Sequence, residues 1–302
     1  MGGFACPTRM DVCLMPHVHP TAIIDSSVTL ADDVEVGPHC VLEGNVTIAA
    51  GSKLIGRVWI QGNVTIGAAN LIFPNACVGF PPQHRSTGDS GAGVVIGDRN
   101  VLREGVTITG PTVDEPSTLG DDNLLMANSH IGHDAHIGNH CTLANGSLIA
   151  GHVDIGDHVI LGGNAAVHQF SRIGRYGFLA GVTGLTKDLP PFCMVYTTSR
   201  VGSLNMVGLR RAGFAAHLPN LQKAFAIVFR QQHANARAAA MIREQFADDA
   251  LCMELADFVA TTQRGITAYR DRHSDRVLDR AISALQADDL MNFEDIEPNN
   301  DA

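Results

Sequence analysis

Six residues of this 302-residue chain form a pattern that can do chemistry: His133-Asp134, Gly151-His152 and His168-Gln169. Gly151 lies 18 residues beyond His133, Gln169 lies 18 beyond Gly151, and His152 lies 18 beyond Asp134. His130 stands half a hexad before the first pair. If 18 residues return the chain to the same place, one edge carries imidazoles, a carboxylate, an amide and a glycine with an unencumbered N–H. Two chemistries suit that edge. In acyl transfer, a histidine acts as general base, a contribution of about 10²–10⁴ in rate, and a backbone N–H such as that of Gly151 holds the oxyanion. The alternative is zinc catalysis by three histidines, whose nitrogens must converge at about 2.0–2.1 Å from one point. Histidines on three levels spaced like paired strands spread over about 10 Å. Metal is therefore the weaker reading unless subunits converge. His140 and His158, also 18 apart, read as an exposed ladder, and His17, His19, His39 and His217 as structural.

What must position that edge is a repeat of six. Counting from Ile24 gives Leu30, Val36, Leu42, Ile48, Leu54, Ile60, Ile66, Ile72 and Val78. A second register runs Ile96, Leu102, Ile108, and a third runs from Leu119 through Ile131, Ile137, Leu143, Ile149, Ile155, Leu161, Val167 and Ile173 to Leu179. No member is polar. A helix of 3.6 residues per turn would scatter a period of six around its circumference. Short strands joined by tight corners keep it on the inside, with Gly or a small residue letting the corner close. Three hexads make an 18-residue triangular coil, and coils stacked about 4.8 Å apart enclose a column of Ile, Leu and Val. The fold expected is a parallel β-helix over residues 17–189.

Two segments interrupt it. Residues 79–95, GFPPQHRSTGDSGAGVV, read as a projecting loop: Val78 and Ile96 are 18 apart, which keeps the phase, but His84 and Ser90 fall on inner positions. Residues 109–118, TGPTVDEPST, are a second insertion that breaks the phase. After Pro190-Pro191 the hexads end, and 190–270 reads as an α-helical C-terminal domain, with Pro219 at a helix start before LQKAFAIVFRQQ. Residues 1–16 read as an N-terminal extension and 271–302 as a helical or disordered acidic tail.

Composition narrows the function. Lys and Arg number 21 against 31 Asp and Glu, a net charge of −10, which argues against nucleic-acid binding. Seven scattered cysteines without a CxxC suggest reduced, buried thiols in the cytoplasm rather than disulfides or a zinc knuckle. No apolar run reaches the roughly 18 residues of a membrane span.

The string DDNLLMANSHIGHDAHIGNHCTLAN, followed by LIAGHV, AAVHQF, DLPPF and LNMVGLRRAGF, closely resembles the acyl-acyl carrier protein:UDP-N-acetylglucosamine O-acyltransferases, the first enzymes of lipid A synthesis. The resemblance covers about residues 17–270 and includes IGDRN at 96–100. It implies a left-handed β-helix, a homotrimer with active sites between subunits, and an acyl donor carried on the phosphopantetheine of acyl carrier protein, with no metal or other cofactor. The acceptor implied is a UDP-aminosugar acylated at its 3-position. By the resemblance His133 is the general base, Asp134 its partner and Gly151 the oxyanion N–H. His130, His152, His168 and Gln169 line the nucleotide-sugar and acyl site, Asn205 and Arg211 lie near nucleotide and carrier protein, and Gly181 sits where acyl-chain length is set. The family's first loop carries P/N-Q-D-L-K. Here it reads Pro82-Gln83-His84-Arg85-Ser86, so Gln83 is kept while His84 and Ser86 replace Asp and Lys. Val207 and Ala212 replace a Glu and the second Arg of a pair, and the His expected after DLPPF is missing. An N-acyltransferase using a 3-amino sugar, a γ-carbonic-anhydrase-like zinc enzyme and a non-catalytic sugar-nucleotide binder are the alternatives.

Overall fold

The computed structural model describes residues 16–85, 88–197 and 199–270. The expectations for an N-terminal extension and for the acidic tail lie outside the described residues, apart from Pro16. From His17 the chain runs in strands of two to four residues, from His17–Val18 to Gly184–Leu185, and every third strand joins the same parallel sheet. Three flat faces result. Face A contains Leu71–Ile72, Thr142–Leu143 and Phe178–Leu179; face B contains Cys77–Phe80, His130–Ile131 and Leu148–Ile149; face C contains Val94–Ile96, His136–Ile137 and Asp154–Ile155. The coils form a left-handed β-helix.

The hexad series is the core. Val36 pairs with Leu54, Ile131 with Ile149 and Leu143 with Leu161, each 18 residues apart, and all are buried. Each such burial contributes about 1.5–3 kcal/mol relative to exposure. Ordering the backbone opposes it by about 1–2 kcal/mol per residue, so a coil is stable only against its neighbours. A second inward position escaped the sequence reading. Two residues before each aliphatic, a smaller side chain such as Val64, Ala135, Cys141 or Val153 is also buried. Inside one corner a ladder of amides climbs the column. Asn70 Oδ1 accepts from Asn100 Nδ2, and Asn100 Oδ1 accepts from Asn123 Nδ2, which satisfies buried groups that cannot reach water.

Two expectations need correcting. The residue that turns each corner with positive φ stands three after the aliphatic and is usually not glycine: Asp134, His140, His152, His158, Phe170 and Tyr176 lie at φ 55–61°. The glycine that follows the aliphatic serves close approach instead. A Cβ on Gly138 would lie 2.9 Å from Asp157 N on the next coil. Secondly, Val78 and Ile96 do not stack despite their spacing. Val78 pairs with Ile108 on face B, whereas Ile96 pairs with Ile66 on face C. The extra residues are extruded at the B–C corner as a loop whose described parts are 81–85 and 88–93, with His84 exposed and not on an inner position. The second insertion, residues 110–116, leaves at the same corner one coil later.

Beyond the last coil the chain is not yet helical. Cys193–Thr197 and Arg200–Leu204, rich in β-branched and aromatic residues, form an antiparallel pair that extends face A. Four helices follow: α1 (Met206–Arg211), α2 (Leu218–Phe229, with Pro219 in its first turn), α3 (Asn235–Gln245) and α4 (Ala250–Ala260). Leu221, Ala224, Phe225 and Val228 give α2 one buried stripe at helical spacing. Asp249 caps α4 by accepting from the N–H groups of Leu251 and Cys252. Helix α4 lies against face C, where Glu254 takes both donors of the Arg175 guanidinium at 2.7 and 3.2 Å and Arg172 covers the Phe258 ring at 4.3 Å.

Candidate active site

The B–C corner carries both insertions and every residue of the histidine edge. On the coil after the second loop, Ile131 points inward, Gly132 crosses the coil above, and His133 projects from the corner as Asp134 reverses the chain at φ 57°. Being adjacent across a turn, the two side chains meet: His133 Nδ1 lies 2.6 Å from Asp134 Oδ2. That contact assigns the proton to Nδ1 and leaves the Nε2 lone pair available as a base.

Asp134 is held from the opposite side by the second loop. Thr112 Oγ1 donates to Oδ2 at 2.7 Å, and the backbone N–H groups of Thr112 and Val113 donate to Oδ1 at 2.8 and 3.2 Å. Asp134 N–H in turn donates to Ser117 Oγ. Its side chain is 2% exposed. Burial by itself would raise this carboxyl, but the hydrogen bonds from Thr112, His133 and Val113 overcome it and hold the group below the usual carboxylate range. The first loop braces the second, with Ser90 Oγ donating to Val113 O at 2.5 Å. Loops on a rigid scaffold commonly grip substrate, yet the second one here grips the carboxylate. Thr112 was missed because its role depends on which corner the insertion leaves from. Counting faces as well as sixes shows both breaks preceding face C.

One coil further, Gly151 stacks on His133. A Cβ there would sit 2.4 Å from the imidazole Cε1, so only glycine lets the ring lie flat across the coil. The Gly151 N–H makes no hydrogen bond among the described residues. His152, stacked on Asp134, brings Nε2 to 3.3 Å from Asp134 Oδ2 and meets the His133 ring edge-on at 5.2 Å. Above it Phe170, which belongs to no motif singled out by spacing, stacks face to face on His152 at 4.5 Å. His84 leans in from the first loop to within 5.8 Å of the His133 ring, with Gln83 exposed beside it. His130 stands on the outer surface of face B, paired with Thr107 Oγ1 at 2.7 Å. Burial and the neighbouring His133 charge push its pKa down.

The remaining candidates are spread over the prism. His168 and Gln169 are on the B–C corner, exposed, with His168 Nδ1 3.3 Å from Arg264 Nη2. Asn205 is on the far side. It is buried, accepts from Gly208 N–H as the cap of α1, and donates to Tyr176 O at the C–A corner. Arg211 ends the same helix. Gly181 lies at the third corner, between faces A and B, where a Cβ would be 3.3 Å from Gly163 O. A single chain thus unites His133, Asp134, Gly151, His152 and His130, with His168 and Gln169 along the same edge, and leaves Asn205, Arg211 and Gly181 apart. His140 and His158 form the expected ladder, their rings parallel at 4.8 Å, and it continues to Tyr176 at 4.6 Å. Among the described residues of one chain, no three histidines converge on a single point. What the corner does offer a metal is His133, Asp134 and His152, whose ligand atoms lie within 4.8 Å of one another.

Comparison with known proteins bears on this geometry. Residues 116–151 match the bacterial transferase hexapeptide model and residues 188–267 match the second domain of UDP-N-acetylglucosamine O-acyltransferase. The acyl-[acyl-carrier-protein]–UDP-N-acetylglucosamine O-acyltransferase of Paraburkholderia phymatum is 45% identical over 260 residues, covering 83% of this chain and 99% of that protein. The enzyme of the same name from Ectopseudomonas mendocina is 42% identical over 84% of this chain and all of its own length. Among solved structures, UDP-N-acetylglucosamine O-acyltransferase from Moraxella catarrhalis superposes with a TM-score of 0.80 at 35% identity, covering 83% of this chain and 99% of that one.

Proposed function

The chain belongs to the acyl-[acyl-carrier-protein]–UDP-N-acetylglucosamine O-acyltransferase family, and from that premise we propose how its own residues carry out the transfer. The activity is acyl transfer to UDP-N-acetylglucosamine in the first step of lipid A synthesis. His133 Nε2 takes the proton from the sugar 3-hydroxyl. The oxygen attacks the thioester carbonyl of a 3-hydroxyacyl chain on the phosphopantetheine of acyl carrier protein. The carbonyl oxygen becomes an oxyanion beside the Gly151 N–H. The tetrahedral adduct collapses, the C–S bond breaks, and the departing thiolate recovers the proton from the His133 imidazolium. Asp134, kept ionised by its donors, stabilises that imidazolium and fixes the ring's tautomer. The observation that carries this reading is the 2.6 Å contact between His133 and Asp134 beside a glycine that only an unsubstituted Cα could fill.

Gln83, His130, His152, His168 and Gln169 line the acceptor and acyl groove on this corner. Asn205, Arg211 and Gly181 join it across a subunit boundary. Faces A and B carry apolar side chains outward, among them Phe178, Ile160, Leu148 and Trp59, whereas face C shows Thr29, Thr47, Thr65 and Asp154. A homotrimer that packs face A of one chain on face B of the next puts the C–A corner of one beside the B–C corner of the other. The acyl chain then runs along face B toward Gly181. Among the described residues no helix is long and apolar enough to cross a membrane, and the five described cysteines are free thiols, which supports a cytoplasmic enzyme. The chemistry needs no metal or organic cofactor beyond the carrier-bound thioester. The test is acyl transfer from acyl carrier protein to UDP-N-acetylglucosamine: His133→Ala lowers turnover at least about 10²-fold with an unchanged melting curve, and near-wild-type turnover in that variant rejects the assignment.

A further inference from the structure

We infer that the catalytic corner is also a zinc site, and that zinc occupying it switches the enzyme off. Three observations lead there. His133 Nδ1 and His152 Nε2 both face one carboxylate oxygen, Asp134 Oδ2, at 2.6 and 3.3 Å. The three ligand atoms lie within 4.8 Å of one another. Nitrogen and oxygen ligands at about 2.0–2.2 Å from a tetrahedral zinc stand about 3.3–3.5 Å apart, so small shifts of the two imidazoles about the buried Asp134 carboxylate bring these atoms to coordination distance. His84, on the first loop, holds its ring 5.8 Å from that of His133 and supplies a third imidazole as the fourth ligand or, failing that, leaves the position to water. The set is two or three neutral nitrogens and one anionic oxygen, the donors zinc prefers over magnesium or calcium.

Inhibition follows from the tautomer, and this part rests on the acyltransferase reading above. A neutral imidazole has one proton and one lone pair. In the resting site the proton is on Nδ1, facing Asp134, and the lone pair on Nε2 is the base. When zinc takes the Nδ1 lone pair, the neutral ring's single proton has to sit on Nε2. The atom that must accept the sugar hydroxyl proton becomes a donor. Zinc also draws Asp134 Oδ2 from its Thr112 and His133 donors, so the carboxylate no longer orients the ring. Gly151 is untouched, but zinc on His133 and His152 occupies both the base and a residue of the acceptor groove, so turnover falls.

The test uses full-length protein stripped with EDTA and then titrated with zinc chloride by calorimetry and against a chromophoric zinc indicator. One zinc per chain is expected. His152→Ala should weaken binding at least tenfold with an unchanged melting curve, and Asp134→Asn should do the same, while His140→Ala on the opposite corner should leave binding as in the wild type. Zinc at the concentration that half-fills the site should halve acyl transfer, and EDTA should restore it. Absence of stoichiometric binding up to about 1 mM zinc, or binding that survives both His152→Ala and Asp134→Asn, overturns the inference. Failure of acyl transfer in metal-free protein would count against the acyltransferase mechanism alone, since the binding measurement does not depend on turnover.

Discussion

The imidazole of His133 lies across Gly151 so closely that a methyl group there would fall 2.6 Å from Nε2, the atom proposed as the base. Two successive coils therefore build the base and the oxyanion donor as one unit. Gly151 has ordinary backbone dihedrals for any residue, so Gly151→Ala is a steric probe rather than a conformational one. It should push the ring off its position, cost about 1–3 kcal/mol in stability from overpacking, and lower kcat by about 10²-fold with little change in KM for the sugar. Steady-state kinetics beside thermal melting checks this, and a KM effect without a kcat effect would move Gly151 from catalysis to binding.

The loop donors on Asp134 give an acid-stability signature. Because its folded pKa lies below the usual carboxylate range, the stabilisation is present above about pH 4 and is lost as pH falls through the folded value, where the native state takes up its proton. Thr112→Val removes the hydroxyl that donates at 2.7 Å and should raise that pKa. The acid-unfolding midpoint should move to higher pH, read by circular dichroism, and an unchanged midpoint would show that the backbone N–H groups suffice.

Gly181 has room for a side chain. Its added Cβ would meet only the Gly163 backbone, O at 3.3 Å and N at 3.7 Å, and its neighbour Val182 is 80% exposed. Gly181→Ala should therefore fold normally. Gly181→Met should shift the preferred acyl chain to a shorter one, scored by mass spectrometry of products from a mixed pool of acyl carrier protein thioesters. An unaltered product distribution would separate the acyl groove from this corner.

Leu148 stands 49% exposed on the outer surface of face B, next to the proposed subunit boundary. Leu148→Asp should break the trimer, seen by light scattering, and remove activity together with assembly. A variant that is monomeric yet fully active would mean that Asn205, Arg211 and Gly181 take no part in the site.

The period of six was sufficient to give the fold, since a hexad series such as Leu119 to Leu179 has one physical solution: inward aliphatics on short strands, stacked by coil. It also placed His133, Asp134, Gly151 and His152 together, because residues 18 apart in an uninterrupted solenoid must be vertical neighbours. The resemblance in residues 121–145 and 148–153 supplied roles for them. What spacing could not give was anything that depends on which corner a break leaves from. Val78 and Ile96 keep the phase of six but occupy different faces, so the clamp of Thr112 and Val113 on Asp134, and the approach of His84 to His133, appear only when the loops are closed in space. Nor does sequence spacing tell that Asn205 caps a helix on the far corner. A local repeat fixes each residue's height and direction on the column through short-range sterics; contacts between insertions and coils are set by loop closure, which has no period to read.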